Sequence, residues 1–137
     1  MAERVEVALG VVRGRGAGDG VARVLVSRRR EAAVLGGFWE FPGGKVEENE
    51  SPEACVVREL REELGIEVRP VAALGVIRHD YDHAAVTLRP YLCEWVGGEP
   101  EARGVAAWAW VDAGQLDHHR FPPANDGLLE EVRELLG

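Results

Sequence analysis

The chain has 137 residues, 46% of them hydrophobic, which is enough to bury the core of one domain spanning residues 1–137. Its net charge of −8 argues against a nucleic-acid polymer as partner, because proteins that bind one usually present a basic face, but it does not exclude a small phosphorylated ligand. No apolar run approaches the roughly 20 residues of a membrane helix, and the N-terminal segment lacks a signal-peptide pattern, so we expect a cytoplasmic location and no membrane partner.

Strand patterns outnumber helical ones along the chain. Apolar or alternating segments predict strands at residues 5–12, 21–29, 67–76, 86–95 and 108–111. Gly-rich segments at residues 13–20 and 36–45 predict loops, and apolar residues at helical spacing predict a C-terminal helix at 127–136. Together with one helix in the middle of the chain, this order predicts an α+β fold in which a mixed β-sheet is sandwiched between α-helices.

The middle helix is the best-defined element of the sequence. Ser51 is a good N-cap, Pro52 suits the first helical position, and Gly65 suits the left-handed residue just past the helix end. Four apolar residues form a stripe that should face the core, with the first of them at its edge: Val56, Val57, Leu60 and Leu64.

Three glutamates, Glu59, Glu62 and Glu63, lie on nearly the opposite side of this helix. Each like-charge pair at a spacing of three or four residues costs roughly 0.2–0.5 kcal/mol in an isolated helix. A solvated outer face is the simplest interpretation. However, further acids precede the helix beside a Gly-rich loop, and such a carboxylate set is typical of sites for hard cations such as Mg²⁺ or Mn²⁺, which bind carboxylates, water and substrate phosphates.

The spacing of these residues resembles a family signature. The segment from Gly44 to Ile66 resembles the Nudix box of the Nudix hydrolases, GX5EX7REUXEEXGU, in which U is aliphatic. All nine constrained positions match, and they are Gly44, Glu50, Arg58, Glu59, Leu60, Glu62, Glu63, Gly65 and Ile66. The preceding "WEFPGGKVE" is similar to the MutT-type branch. The resemblance implies a single Nudix hydrolase domain in which the box forms a loop, a helix and a second loop.

The resemblance also implies a metal site. Glu59, Glu62 and Glu63 would bind or orient Mg²⁺, for which Mn²⁺ is an alternative, and the backbone carbonyl of Gly43 would be a further ligand. Metal ions there would neutralise the phosphates and lower the pKa of the attacking water.

Four box residues are the predicted catalytic residues: Glu50, Arg58, Glu59 and Glu62. Glu59 or Glu62 would accept the proton of the water, and the sequence does not choose between them. Glu50 is expected to hydrogen-bond to Arg58 and to fix the loop, so Arg58 has a structural interpretation as strong as its catalytic one.

The chain departs from the family pattern in one place. Several members carry a further acidic residue before the last core strand, whereas the residues directly before "WAWV" are apolar here. Glu99 and Glu101 are the nearest acids. The sequence leaves open whether one of them takes this role or whether the role is absent.

The resemblance implies a nucleoside triphosphate substrate that is cleaved to the monophosphate and pyrophosphate, and the MutT-type features favour oxidised dGTP (8-oxo-dGTP). The predicted substrate-binding residues are Arg29, Glu40, Phe41, Pro42, Gly43 and Asn125. Asn125, in "FPPAN", would read the purine base through its amide. Alternatively, or at the same time, Asn125 or Asp126 would cap the final helix. A histidine contact of the MutT branch has no counterpart, because Val34 lies near that position.

Other functions stay open at this stage. The same fold could act on CTP or another pyrimidine triphosphate, on ADP-ribose or on a dinucleoside polyphosphate, or it could serve as a non-catalytic nucleotide-sensing module. The intact box argues against the non-catalytic alternative. The sequence does not give the oligomeric state.

Several other residues carry weaker signals. Cys55 and Cys93 are expected to be buried, reduced thiols. His79, Tyr81 and His83 would share one face of an extended strand, but no third zinc ligand is visible beside the two histidines, which favours a surface or cleft-lining role. The tryptophans expected in the core are Trp39, Trp108 and Trp110, and Phe121 would pack in the core or against a base.

Overall fold

The computed structural model describes residues 3–14, 19–33, 35–81 and 84–137. Within these residues, eight strands form one sheet. The strands are β1 (Glu3–Gly14), β2 (Arg23–Arg28), β3 (Trp39–Glu40), β4 (Gly43–Lys45), β5 (Glu67–Ala73), β6 (Ile77–Asp80), β7 (Ala84–Gly97) and β8 (Ala107–Val111). The helices are α1 (Pro52–Leu64), α2 (Ala113–Leu116) and α3 (Asp126–Leu136), and a 3₁₀ turn at Pro123–Asn125 precedes α3.

The sheet is mixed, as predicted. Its main path runs in the order β3-β2-β1-β7-β5, with β4 paired to β1, β6 to β7 and β8 to β2. The pair β1 and β7 is parallel and in register from Glu3 opposite Ala84 to Arg13 opposite Glu94, whereas the other pairs are antiparallel. This long parallel pair places the starts of β1 and β7 side by side.

Alternation along β1 sends neighbouring side chains to two separate cores. Ala8 and Val12 belong to the core beneath α1, whereas Leu9 and Val11 belong to the core beneath α2 and α3. Both faces of the sheet are therefore covered by helices. The predicted sandwich of a mixed sheet between α-helices is confirmed.

The predicted ends of α1 are confirmed, but its buried stripe is shifted. The Ser51 side chain accepts a hydrogen bond from the Ala54 amide at 3.1 Å, and Gly65 adopts φ = 69°. Val56 is fully buried, whereas Val57 is only half-buried, so the prediction that placed Val56 at the edge of the stripe was wrong. The reason is packing on β1, where Gly10 has no side chain and lets Val56 and Leu60 approach closely.

Some local predictions differ from the structure. The segment at 36–45, predicted as a loop, contains the short strands β3 and β4, and β6 and α2 were not predicted as elements. The Gly-rich segment at 13–20 begins inside β1, and its residues 15–18 lie outside the described part of the chain. Short elements such as these depend on pairing or packing partners, which local propensity does not contain.

The aromatic and cysteine predictions had mixed outcomes. Trp110 packs against Trp95 with ring centroids 5.2 Å apart, but Trp108 is 37% exposed, so its assignment to the core was wrong. Trp108 lies near the start of β8, outside both core clusters. Cys55 and Cys93 are buried free thiols, as expected, and burial raises the pKa of each to about 12. Within the described residues, every helix is too short or too polar to cross a membrane.

Candidate active site

Strand β4 approaches the carboxylate face of α1 at Gly44. An ideal Cβ atom built on Gly44 would lie only 2.5 Å from the carboxylate carbon of Glu59, so a side chain at this position would displace that carboxylate. Gly43 is equally constrained, because a Cβ atom there would lie 2.0 Å from the carbonyl oxygen of Ala8 on β1. The two glycines therefore allow β4 to lie between β1 and the carboxylate face of α1.

Arg58 holds several of the box carboxylates. Its Nε donates to Glu50 at 2.6 Å, and its Nη1 donates to Glu59 at 2.8 Å and to Glu62 at 3.2 Å. The expected contact between Glu50 and Arg58 is therefore present. The Arg58 guanidinium lowers the pKa of Glu50 to about 2, so Glu50 stays ionised and fixes the loop between β4 and α1.

Glu63 has no such counter-ion among its described contacts. Its Oε2 is buried without a hydrogen-bond partner in the described structure. Burial, and then repulsion by Glu59 and Glu40, raises the pKa of Glu63 to about 8. Burial also raises the pKa of Glu59, against the opposing effect of Arg58. The part of α1 that carries Glu63 is therefore short of positive charge.

The loop before β8 fixes the end of α1 that carries Glu63. The backbone carbonyl of Glu63 accepts hydrogen bonds from the amides of Arg103 and Gly104, both at 3.0 Å. Within this loop Glu101 is bound to Arg103 at 3.2 Å, and its side chain is exposed. In the described structure neither Glu99 nor Glu101 lines a cavity next to Glu63.

The donor set fits a hard divalent cation. Glu59, Glu62 and Glu63 offer carboxylate oxygens, and the orphaned Oε2 of Glu63 lacks the partner that a buried carboxylate requires. In this conformation Arg58 holds Glu59 and Glu62, and within the described residues no three acidic, His or Cys side chains converge into a ready-made coordination sphere. Cation binding would therefore require these side chains to turn toward Glu63.

A cavity of about 420 Å³ opens on the other face of the sheet. Val7 and Leu9 of β1 and Val86 and Leu88 of β7 form an apolar wall, because alternate residues of the parallel pair point to the same side. The polar residues around it are Arg29, Glu40, Lys45, Tyr81 and Asn125. An apolar cleft with a few polar groups is typical of a small-molecule site.

Asn125 lines this cavity and is 6% exposed. Its Nδ2 donates to the Pro122 carbonyl at 3.4 Å, and its side chain makes no capping hydrogen bond to α3. Asn125 occupies the N-cap position of α3, and Asp126 is the first residue of that helix, but the alternative in which the Asn125 side chain caps α3 was wrong. Its amide lies in the wall of the cavity instead.

Arg29 and Glu40 form an ion pair at 3.0 Å, and both line the large cavity. Both also line a smaller cavity of about 100 Å³ together with Glu63. The pair therefore stands between the nucleotide-sized cavity and the acidic face of α1. Burial raises the pKa of Glu40, although Arg29 partly opposes this effect.

Three predicted substrate-binding residues, Phe41, Pro42 and Gly43, are not among the described residues that line the large cavity. The side chains of Phe41 and Pro42 are buried, and the ring of Phe41 packs against Phe121 at 5.3 Å in the core beneath α3. Neither side chain is among the described residues that line the large cavity, because alternation on this segment turns Glu40 outward and Phe41 inward. Phe121 packs in the core, which was one of its two expected positions.

Sequence reasoning missed Lys45 and the apolar wall of the cavity, whereas Tyr81, for which a surface or cleft-lining role was expected, does line the cavity. Alternation of Val5, Val7 and Leu9 was visible, but only the pairing of β1 with β7 shows that they face a cavity. His79 contacts Tyr81 with ring centroids 4.4 Å apart. Val34 and His83 lie outside the described residues.

Comparison with known proteins agrees with this architecture. A family model described as the NUDIX domain matches residues 16–131. The chain is 30% identical to the 8-oxo-dGTP diphosphatase of Escherichia coli over 133 residues, covering 97% of this chain and 99% of that protein. It is 31% identical to the CTP pyrophosphohydrolase of E. coli over 113 residues, covering 82% and 84%. The crystal structure of a MutT Nudix hydrolase from Burkholderia pseudomallei matches 95% of this chain and 98% of that chain, with 27% identity and a TM-score of 0.80.

The chain therefore belongs to the Nudix family of hydrolases. Its α+β architecture is the Nudix fold. Within the family it is an enzyme of the MutT type, with relatives that are named as diphosphatases or pyrophosphohydrolases of nucleotides. Nudix hydrolases generally use divalent metal ions, and the carboxylate face of α1 offers suitable ligands.

Proposed function

We propose that this enzyme is a Mg²⁺-dependent nucleoside triphosphate pyrophosphohydrolase, which converts a nucleoside triphosphate to the monophosphate and pyrophosphate. One observation carries the proposal. The Arg29–Glu40 pair lines both a cavity of about 420 Å³ and the small cavity beside Glu63, so a nucleoside in the first cavity can extend its phosphates toward the acidic helix face.

Each box residue has a proposed role. Glu59, Glu62 and Glu63, with the backbone carbonyl of Gly43, would hold Mg²⁺, and Mn²⁺ would serve as a substitute. When bound, the metal supplies positive charge for the phosphates and a lower pKa for the attacking water. Glu50 keeps Arg58 in place, and Arg58 orients Glu59 and Glu62 through hydrogen bonds of 2.8 and 3.2 Å.

Glu59 is the better candidate for the residue that accepts the proton from water. Its side chain is 15% exposed and lies against Gly44, whereas the side chain of Glu62 is 60% exposed. Burial raises the pKa of Glu59, and a carboxylate with a raised pKa is a stronger base near neutral pH.

Oxidised dGTP is the proposed substrate. Asn125 presents a buried amide in the cavity, and an amide offers both a donor and an acceptor to the edge of an oxidised purine. The similarity to the 8-oxo-dGTP diphosphatase of E. coli supports this choice over nearly the whole chain. The protein would then remove damaged nucleotides from the pool that feeds DNA synthesis.

CTP is the second candidate, because identity to the CTP pyrophosphohydrolase of E. coli is almost the same. The two relatives share the fold and the box, so overall similarity cannot select the base. The residues around the base decide instead, since one well-placed hydrogen bond can change discrimination between substrates by an order of magnitude or more.

A panel of nucleotides tests both the triphosphate assignment and the choice of an oxidised base. The enzyme would be assayed with Mg²⁺ and dGTP, 8-oxo-dGTP, CTP, dCTP or ADP-ribose, and pyrophosphate and orthophosphate release would be measured separately. We expect pyrophosphate as the main product and the highest kcat/KM for 8-oxo-dGTP. Orthophosphate as the main product would contradict the triphosphate assignment, and equal rates for dGTP and 8-oxo-dGTP would contradict the choice of an oxidised base.

A further inference from the structure

The small cavity of about 100 Å³ beside α1 contains two carboxylates from different parts of the chain. Glu63 enters it from the last turn of α1, and Glu40 enters it from β3. Arg29, Arg30 and Ala33 also line it, together with Gly104 and Val105, which precede β8 and bring no side-chain charge. The segment in which several Nudix enzymes carry an acid therefore brings no acid to this cavity.

The topology explains how Glu40 reaches this level of the sheet. Strands β3 and β8 flank β2, and Ser27 of β2 lies opposite Glu40 on one side and opposite Trp108 on the other. Glu40 and Trp108, which is near the start of β8, therefore lie at the same position along β2. Glu40 reaches the cavity from β3, on the other side of β2.

Two features indicate that this cavity is built for charge. The buried Oε2 of Glu63 has no partner in the described structure, and Glu40 is held at 3.0 Å by Arg29 with its side chain only 20% exposed. A buried acceptor without a donor is unfavourable, and Glu40 repels Glu63. Of the two arginines in the cavity wall, Arg29 is bound to Glu40 and Arg30 donates to the Arg103 carbonyl at 2.8 Å. A divalent cation at or beside Glu63 would relieve both effects.

We infer that Glu40 supplies the further carboxylate of the metal cluster, which this chain lacks before β8, and that Arg29 holds it in position. The inference rests on the proposed function of the box glutamates as metal ligands. Glu40 would then contribute to metal binding in addition to lining the large cavity.

The test is Mn²⁺ binding to the nucleotide-free protein, measured by calorimetry and by the EPR signal of free Mn²⁺. We expect Glu40→Gln to weaken the tightest Mn²⁺ site by about 10-fold or more, as changes around metal ligands commonly do. Glu40→Asp, which keeps the charge, should remain closer to the unmodified protein. Glu101→Gln is the matched control and should leave Mn²⁺ affinity unchanged.

The double variant Arg29→Gln/Glu40→Gln separates a carboxylate effect from a charge effect. Glu40→Gln alone removes the carboxylate that Arg29 binds at 3.0 Å, so the change in local charge would by itself disfavour Mn²⁺. If the double variant also binds Mn²⁺ weakly, the Glu40 carboxylate is required for binding, as inferred. Recovery of full affinity in the double variant, or full affinity in Glu40→Gln, would overturn the inference. Because the titration contains no nucleotide, its result does not depend on which nucleotide the enzyme hydrolyses.

Discussion

The acidic face of α1 and the cavity on the other side of the sheet are built differently. The acidic face comes from a single segment, residues 44–66, and Arg58 ties its carboxylates together within a few ångströms. The cavity is assembled from β1, β7 and the turn before α3, with apolar side chains as its main surface. A small change on the acidic face should therefore affect rate, whereas a change in the cavity should affect selectivity.

The largest effect is expected from Glu59→Gln on the acidic face. Loss of the carboxylate should lower kcat by about 10³-fold or more, because both proton acceptance and metal binding would be impaired. Folding should change little, since the amide keeps the shape of the side chain. Pyrophosphate release measures the first effect and thermal unfolding the second. Substantial activity in this variant would contradict the mechanism.

A smaller loss is expected when the glycine beneath Glu59 is filled. In Gly44→Ala the new Cβ would lie 2.5 Å from the Glu59 carboxylate carbon, so the carboxylate must move. Misplacement of about 1 Å can lower the rate by roughly 10²-fold. The matched control is Gly127→Ala in α3, where nothing lies within 4 Å. An equal loss of kcat in the two variants would show that the position beside Glu59 has no special role.

In the cavity, Asn125→Ala should change selectivity more than rate. We expect kcat/KM for 8-oxo-dGTP to fall by about 10-fold, in keeping with the loss of one buried hydrogen bond, while the values for CTP and dCTP change less. The ratio of kcat/KM values across the nucleotide panel measures this effect. A uniform decrease for all nucleotides would place Asn125 outside base recognition.

The smallest effect concerns the stability of the metal-free protein. The pKa of Glu63 rises from its ordinary value of 4.5 to about 8 on folding, so the folded state binds this proton more tightly. The resulting stabilisation is complete below pH 4.5 and is lost as the pH rises through 8. Tm measured in chelator should therefore fall by a few degrees between pH 5 and pH 8.

The Glu63→Gln variant separates this effect from those of the other carboxyl groups. Glu50, whose pKa is lowered to about 2, stays ionised throughout that range and does not contribute to the slope. Glu63→Gln should therefore flatten the dependence of Tm on pH. An unchanged slope would show that Glu63 does not hold its proton in the folded state.

How much of each region could be predicted follows from how it is built. The box is contiguous, so helix periodicity and caps gave the ends of α1 and the position of its glutamates, and the family resemblance gave the contact between Glu50 and Arg58. The cavity depends on pairing between residues that are about 80 positions apart, such as Val7 and Leu88, and no local pattern contains that register. The burial of Phe41 was missed for the same reason, since it depends on tertiary packing.

The network around Arg58 has a practical consequence for handling the protein. One guanidinium lies within 4.0 Å of four carboxylates, those of Glu47, Glu50, Glu59 and Glu62. This internal counter-ion offsets much of the repulsion that would otherwise push the box loop away from α1. Protein stripped with a chelator should therefore stay folded during purification and storage, and it can be reloaded with a chosen metal at the bench.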